Sequence, residues 1–306
     1  MDFVPAADLT PVAFARHGVF SSAWAAAAGL DSDAVGRLVR SGRAHPLVRG
    51  WYAVGPPGDE RDRHRLAATA AYLRLGGRAR VSHHSSLVFH GLPLYRADLA
   101  TVHLTRTGPG SSRNRPGVKV HPSLPMDGAA DRVPIAVGIV QSGLEADPLT
   151  ALVAADAALH RRSVTSPEIE DAVNLLSGRH GIGPVRAVLA GADTRIESPG
   201  ESVLGHRLRA LGWAVTPQFM VVTDLGTRYA DFRIDGTRVL VEFDGKVKYG
   251  GERGADVLFA EKRREDALRR RGWLVERFVW AEIERVPLIE RRIEAAVATA
   301  ARLGWA

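Results

Sequence analysis

Acidic residues recur at short intervals in the C-terminal third of this 306-residue chain. Asp231, Glu242 and Asp244 flank the dipeptide Asp235-Gly236, and Lys246 follows shortly after the last acid. Apolar and polar residues alternate on both sides of that dipeptide, as in strands with one buried face. Asp-Gly between two such runs is a strong signal for a two-residue type I′ hairpin. The pattern predicts two paired strands that carry the acids.

The register of that hairpin decides which side chains share a face. A two-residue loop places Asp231 opposite Leu240 and diagonal to Glu242. Because alternate residues of a strand share a face, Asp231, Glu242 and Asp244 are expected to project together. Lys246 joins them if the strand continues past Gly245. The other face of the hairpin is wholly apolar and is expected to be buried.

Three carboxylates on one face repel one another unless a cation offsets their charge. Diagonal positions lie roughly 7–8 Å apart, within reach of one ion for two carboxylate side chains. Hard oxygen ligands suit Mg²⁺ or Mn²⁺, and a sequence without cysteine excludes disulfides, thiol catalysis and Cys-ligated zinc. The acids therefore predict a magnesium or manganese site with Asp231, Glu242 and Asp244 as ligands.

Further motifs accompany these acids in a fixed order. They are Glu201 in a predicted leading helix, Tyr229-Ala230-Asp231-Phe232, Val241-Glu242-Phe243-Asp244-Gly245-Lys246, Glu261-Lys262-Arg263-Arg264-Glu265-Asp266, Gly272-Trp273 and Val275-Glu276-Arg277-Phe278. Together they resemble the PD-(D/E)XK nuclease superfamily, and within it the very-short-patch-repair (Vsr)-like endonuclease domain. The resemblance implies a restriction-endonuclease-like α/β/α fold and hydrolysis of phosphodiester bonds. Glu201 would orient a metal-bound water, and Lys246 would position or help deprotonate the attacking water.

The position of the lysine departs from the superfamily pattern, in which lysine stands two residues after the second acid. Here Asp244 occupies that position after Glu242. Either Asp244-Gly245-Lys246 fills the acid-x-lysine role, or Glu242 and Asp244 both bind metal and Lys246 acts from one step further along. We favour the second. A decayed nuclease fold, kept for binding or packing, is the alternative.

A basic helix is predicted from about Asp256 to Arg271. A positively charged helix beside a metal site suits a nucleic-acid backbone. Lys262 and Arg264 are the expected DNA contacts on it. A solvated amphipathic helix is the alternative.

The N-terminal region shows the order of a winged helix-turn-helix. Helices are predicted from Ser21 to Ala28 and from Asp31 or Ser32 to Arg40, and residues 44–54 alternate like the two short strands of a wing. Four arginines are then expected to contact DNA, with the first two in a groove and the others near phosphates: Arg37, Arg40, Arg43 and Arg49. A small helical packing unit with solvated arginines is the alternative.

Short runs in this region resemble the type IV antitoxin family of abortive-infection systems. They are Gly18-Val19-Phe20-Ser21, Ala28-Gly29-Leu30, Leu38-Val39-Arg40-Ser41-Gly42 and Val48-Arg49-Gly50-Trp51-Tyr52, and the later Ser-His-Ser-Ser and His-Gly-Leu runs extend the likeness to about residue 160. The resemblance implies operator binding, repression of the chain's own promoter and a possible cognate toxin protein. A DNA-binding regulator with a silent nuclease fold is therefore the second functional hypothesis.

Five histidines lie in the middle region: His83, His84, His90, His103 and His121. No pair has the i, i+4 spacing of a helical zinc site, and no carboxylate accompanies them at motif distance. We interpret them as ordinary, half-buried strand histidines.

Composition and segmentation complete the expectations. A 45% apolar and 25% charged chain with a net charge of +7 is typical of a globular protein with a polyanionic partner. Without a long apolar run or a secretory pattern, we expect a cytoplasmic protein that binds DNA and no membrane. The fold class is α/β, in four segments: 1–57, winged helix-turn-helix; 58–162, an α+β middle domain; 163–195, a helical connector; and 196–306, the nuclease domain.

Overall fold

The computed structural model describes residues 17–126, 130–245, 263 and 265–305. The protein is a mixed α/β structure whose described strands form three sheets. It divides into two compact units: unit 1 holds the described residues up to Ala151 together with Ser166–Ile182, and unit 2 holds Leu152–Thr165 together with the described residues from Gly183 onward. This division is coarser than the four segments expected from the sequence. Within the described ranges, no helix combines the length and apolarity needed to cross a bilayer.

The N-terminal part of unit 1 combines two short helices with a three-stranded sheet. Its elements are β1 (Val19–Ser21), α1 (Ser22–Ala27), α2 (Ser32–Arg40), β2 (Ala44–Val48) and β3 (Trp51–Val54). Both predicted helix starts are confirmed. Ser21 accepts a hydrogen bond from the backbone N–H of Trp24 at 3.1 Å, and Asp31 accepts one from that of Ala34 at 2.7 Å. The predicted hairpin is confirmed as β2–β3, while β1 is an unpredicted strand that pairs with β3.

The rest of unit 1 is built on a four-stranded sheet in the order β4-β5-β7-β6. Its elements are α3 (Glu60–Leu75), β4 (Ala79–Val81), α4 (His83–Phe89), β5 (Val102–Arg106), β6 (Arg113–Arg115), β7 (Val118–His121), α5 (Ile135–Glu145), the first residues of α6 (Pro148–His160), and α7 (Ser166–Leu175). β5 and β7 run parallel, and the two outer pairs are antiparallel. Small and branched residues of α3, β4 and β5, such as Ala68, Val81 and Leu104, pack into one core.

The assignment of His83 and His84 to strands was wrong. Both residues open helix α4, which follows β4 after a single residue, Ser82. The segment gave no helical signal because residues 83–88 are buried on every side and therefore show no amphipathic period. His83, His84 and His103 are also buried, not half-buried as expected.

Unit 2 is built on a mixed sheet in the order β11-β10-β9-β8. Its elements, beyond the rest of α6, are α8 (Ile182–Leu189), α9 (Pro199–Ala210), β8 (Val215–Thr223), β9 (Gly226–Ile234), β10 (Val239–Phe243), β11 (Leu274–Phe278), α10 (Trp280–Ile283) and α11 (Val286–Arg302). Strands β8 to β10 form an antiparallel meander, and β11 runs parallel to β10. The predicted leading helix and the three strands that follow it are confirmed.

The connection between β9 and β10 is longer than predicted. It covers residues 235–238, and Val241 pairs with Phe232. The two-residue loop at Asp235-Gly236 was wrong because Thr237 belongs to the turn, where its hydroxyl donates a hydrogen bond to the carbonyl of Ile234 at 2.8 Å. The register therefore moves by two residues, a shift that preserves the alternation of faces. Ala230 is an exception, since it was expected on the apolar face but packs in the cluster that contains Leu240.

The corrected register changes which residues stand opposite one another. Continued along the strands, it places Asp231 opposite Glu242, where Leu240 was expected. Leu240 shares the face of these acids and is itself buried with Leu268 and Trp273. At Leu240, the face of the sheet that carries the acids is therefore covered by other residues, as the apolar face is.

Helix α9 lies very close to the apolar face of the sheet. Gly205 stands over Phe232 so tightly that an added Cβ would be 2.7 Å from the ring, and Gly200 faces the ring of Phe243 more closely still. Glycine at both positions lets the helix backbone approach the strands. This approach holds Glu201, in the first turn of α9, near the ends of β9 and β10.

Candidate active site

Three carboxyl side chains come together at one end of the unit 2 sheet. Asp231 lies in β9, Glu242 in β10, and Glu201 in the first turn of α9. Asp231 Oδ2 accepts a 2.6 Å hydrogen bond from the backbone N–H of Phe243. That bond ties the Asp231 carboxylate to the end of β10. We refer to Glu201, Asp231 and Glu242 as the acidic cluster.

Glu201 is the most deeply buried member of the acidic cluster, with 7% of its surface exposed. Its Oε2 accepts hydrogen bonds from the backbone N–H of Glu197 at 3.0 Å and from Gln218 Nε2 at 3.3 Å. Ser198 caps the helix, since its hydroxyl accepts from the Glu201 backbone N–H at 3.3 Å. The Glu201 carboxylate is thus held in place from two sides.

Burial raises the pKa of Asp231 to about 7. The hydrogen bond from Phe243 opposes this rise, and the carboxylates of Glu201, Glu242 and Glu197 contribute to it. Among the described residues, no basic side chain forms a salt bridge with Asp231 or Glu201. The negative charge at this point is therefore not balanced by the part of the chain that the structure describes.

Glu242 has a different environment from the other two acids. Its Oε2 accepts a hydrogen bond from Arg277 Nε at 2.9 Å, and Arg277 Nη1 reaches Glu265 Oε2 at 3.0 Å. One arginine therefore links the acidic cluster to Glu265, which lies within the predicted basic helix. Residues 265–270 are helical, in agreement with that prediction.

Asp244, the other predicted ligand that the structure describes, is not part of this buried group. Asp244 is exposed one residue past the end of β10, where its backbone N–H donates to the carbonyl of Phe278 at 2.8 Å. Lys246, Lys262 and Arg264 lie outside the described residues.

A cleft of about 600 Å³ opens beside the acidic cluster. Asp231 lines it together with two residues that the sequence interpretation missed, Glu197 and Gln218. Glu197 stands four residues before Glu201, just ahead of the helix cap Ser198, which is a detectable spacing. Gln218 gave no signal, because its role depends on a left-handed backbone (φ +50°) within a strand.

The donor set of this cleft fits a hard divalent cation. Glu197, Asp231 and Gln218 offer carboxylate and amide oxygens, which Mg²⁺ and Mn²⁺ prefer, although Arg195 and Arg228 also line the cleft. A cation would also offset the repulsion that raises the Asp231 pKa. Of the predicted ligands, Asp231 lines the cleft, whereas Glu242 belongs to the acidic cluster but not to the cleft wall.

The predicted DNA contacts in unit 1 lie on the surface. Arg37 and Arg40 are exposed on α2, and Arg43 and Arg49 are exposed on either side of β2. The first two lie in the last turn of their helix, which suits basic side chains.

A second group of basic residues in unit 1 was not predicted. A cleft of about 710 Å³ lies beside the β2–β3 hairpin, and its described lining includes no acidic residue but five arginines, Arg49, Arg74, Arg78, Arg113 and Arg115. All five are exposed. They come from β6, from α3 and its C-terminal turn, and from the hairpin, so no local spacing reveals them. We call this feature the arginine cleft.

Comparison with known proteins assigns no family: no family model matches the chain, and no curated protein is significantly similar to it. Function is therefore inferred from the acidic cluster, the cleft beside it and the arginine cleft.

Proposed function

We propose that the protein is a DNA-binding, divalent-metal-dependent endonuclease that hydrolyses phosphodiester bonds. The observation that carries this proposal is the acidic cluster, in which one buried and two partly buried carboxyl groups converge, and of these only Glu242 forms a salt bridge, to Arg277, within the described residues. A mixed sheet with α9 packed on one face is compatible with the restriction-endonuclease-like fold that the sequence motifs imply.

The residues of the site would have different roles in hydrolysis. Asp231 and Glu242 would hold the cation. A bound Mg²⁺ or Mn²⁺ supplies positive charge that stabilises the charge developing on the phosphate. Glu201, held by Glu197 and Gln218, presents a fixed carboxylate that orients a water molecule. Asp244 and Lys246 keep their predicted roles as a further ligand and as the group that positions the attacking water.

The arginine cleft supports the DNA-binding part of the proposal. Phosphate contacts from lysine and arginine supply most of the affinity of proteins for nucleic acids. Five exposed arginines around Trp51 and Tyr52 combine charge with aromatic surface. The predicted helix contacts of Arg37 and Arg40 would add to this surface.

The test is a cleavage assay on labelled duplex, mismatched, branched and single-stranded DNA and on RNA, with Mg²⁺, Mn²⁺ or EDTA. We expect cleavage with the metals and none with EDTA. Asp231→Asn and Glu201→Gln, which change charge but little volume, should abolish cleavage and leave DNA binding near that of the unmodified chain. Asp224→Asn, in the exposed β8–β9 turn, is the matched control and should cleave normally. Cutting by the Asp231 or Glu201 variant at the normal rate would reject the site.

The Arg277 side chain favours a second candidate, an antitoxin-type DNA-binding regulator with a silent nuclease fold. Its hydrogen bond to Glu242 partly neutralises one predicted metal ligand. Under this alternative the arginine cleft still binds DNA, and no metal-dependent cleavage occurs on any substrate. Specific retention of a promoter fragment without cleavage, together with inhibition of a cognate toxin protein, would support it.

A further inference from the structure

Three histidines and one glutamate of unit 1 bring their side chains together away from the acidic cluster. They are His83 at the start of α4, His103 in β5, His121 at the end of β7, and Glu145 at the end of α5. One ligand atom from each lies within 4.8 Å of the others. We call these four residues the histidine cluster.

The spacing of these atoms suits coordination of one ion. Ligand atoms bound to a tetrahedral zinc at 2.0–2.1 Å stand about 3.3 Å apart. His103 Nδ1 and His121 Nε2 are 2.9 Å apart, and the ring centroids of His83 and His121 are 3.9 Å apart. Small shifts of side chains would bring all four atoms to bonding distance around a common centre.

The backbone and the neighbouring residues constrain His83. It adopts a left-handed conformation (φ +54°) that is costly for a residue with a side chain. Its Nδ1 lies 2.9 Å from Ser82 Oγ, which leaves Nε2 as its ligand atom. A partner on the second ring nitrogen is how proteins orient metal-binding histidines.

Burial also favours the neutral form of these imidazole rings, which is the form that can bind a metal. His83 and His103 are only 5% and 2% exposed. Taking an imidazole out of water disfavours its protonated form, so both rings are neutral and their nitrogens can bind a metal.

We propose that the histidine cluster binds one divalent cation of the zinc class. Three imidazole nitrogens and one carboxylate oxygen form a donor set that suits Zn²⁺ and not Mg²⁺. The ion would link α4, β5, β7 and α5, four elements that are far apart in sequence, and so it would stabilise unit 1. This site is independent of the proposed nuclease activity.

A cleft of about 590 Å³ supplies a path for the ion. Its lining includes His103 and Glu145, which places two of the four ligands at its wall. Lys119 also lines this cleft, and its Nζ lies 2.6 Å from Glu145 Oε1. The Lys119 ammonium group therefore competes with a cation for the Glu145 carboxylate, and it also repels the cation. Lys119 must release Glu145, at least in part, when the ion binds.

The decisive experiment is a calorimetric Zn²⁺ titration of the full chain, purified without a histidine tag and stripped of metal. We use the Asp231→Asn background so that the acidic cluster does not contribute. One equivalent should bind and raise the melting temperature of the protein. His121→Gln and Glu145→Gln should each weaken binding by at least about 100-fold, because even supporting partners of metal ligands are worth about 10–100-fold. His90→Gln, an exposed histidine of the same unit, is the matched control.

Two further measurements guard against misfolded variants. Co²⁺ bound to the unmodified chain should give the intense visible absorption of a tetrahedral site, and circular dichroism should show that each variant is folded. Lys119→Met should bind Zn²⁺ more tightly, which a merely structural defect would not produce. No Zn²⁺ binding by the folded parent chain, or equal binding by the His121 and Glu145 variants, would overturn the proposal. Unchanged or weaker binding by Lys119→Met would overturn the assignment of Glu145 as the fourth ligand.

Discussion

In the acidic cluster of unit 2 and the histidine cluster of unit 1, burial acts on side chains of opposite charge. Burial raises the pKa of Asp231 to about 7 and lowers the pKa of His121 to about 4. In both places removal from water disfavours the charged form, which is an anion in one case and a cation in the other. The comparison shows that one physical cause, burial, shifts the pKa values of the two clusters in opposite directions, which suits the hard cation proposed for one and the softer cation proposed for the other.

The largest expected difference between the clusters is catalytic. Lys246→Ala should slow single-turnover DNA cleavage by a factor on the order of 10²–10⁴, the usual range for a positioned acid–base group. Mg²⁺ affinity should change little, whereas Asp244→Asn should weaken it. Lys248→Ala is the matched control, and Glu145→Gln in the histidine cluster should cleave at the parent rate. Full activity in Lys246→Ala would remove the lysine from the mechanism.

The pH dependence of stability should have opposite signs in the two regions. The Asp231 pKa is higher in the folded chain, so its stabilising contribution is present at low pH and is lost as pH rises from about 4 through about 7. The pKa of buried His64, beside the histidine cluster, is lowered by burial to about 4. Its contribution is present above pH 6.5 and is lost as pH falls toward 4.

Urea unfolding in EDTA at several pH values measures these contributions. Asp231→Asn should remove a decrease in the free energy of unfolding as pH rises, and His64→Gln should remove an increase. Each of these pH dependences has a slope of at most about 1.4 kcal/mol per pH unit. Summed over the titration, each effect amounts to a few kcal/mol. Slopes that change in the same direction in both variants would break the comparison.

The acidic cluster should also depend on close helix packing. Gly205→Ala places a Cβ against the fully buried ring of Phe232, and such overpacking costs about 1–3 kcal/mol. The better helix propensity of alanine offsets up to about 1 kcal/mol of that cost. Gly183→Ala is the control, because this glycine of α8 has open space around it and the change should be neutral or slightly stabilising. Equal urea midpoints for the two variants would contradict the described packing.

The smallest effects are expected for DNA binding, measured as the dependence of affinity on salt concentration. Arg113→Ala and Arg115→Ala should each reduce the log–log slope by about one unit if each contacts one phosphate. Arg37→Ala and Arg40→Ala should do the same if α2 enters a groove. Arg63→Ala, an exposed arginine of α3 that does not line the arginine cleft, should leave the slope unchanged. These variants thus separate the DNA contacts predicted for α2 from those proposed for the arginine cleft.

Sequence reasoning reached the acidic cluster because its parts are local. Period-two alternation assigned Asp231 and Glu242 to one face, and an error of two residues in register left that assignment intact. Glu201 was found because its helix has a strong start signal, Ser198-Pro199-Gly200. The helix, the strands and most of their bounds followed from the same periodicities.

The histidine cluster and the arginine cleft were beyond such reasoning. His103 and His121 meet because β5 and β7 pair in parallel, and no short-range pattern specifies that pairing. His83 was assigned to a strand because its helix is buried all round. Arg74 and Arg113, likewise, line one cleft only after the sheet has formed. The pairing of strands that are distant in sequence could not be predicted from short-range patterns.

The left-handed backbone at Gln218 has one further consequence. Such a conformation costs a residue other than glycine about 1–2 kcal/mol, and here that residue also donates a hydrogen bond to Glu201. Gln218→Gly should therefore relieve the backbone cost while leaving the Glu201 carboxylate less firmly oriented. Position 218 is thus a place where thermostability and turnover should move in opposite directions, and selection of this chain for stability alone would be expected to erode its activity there first.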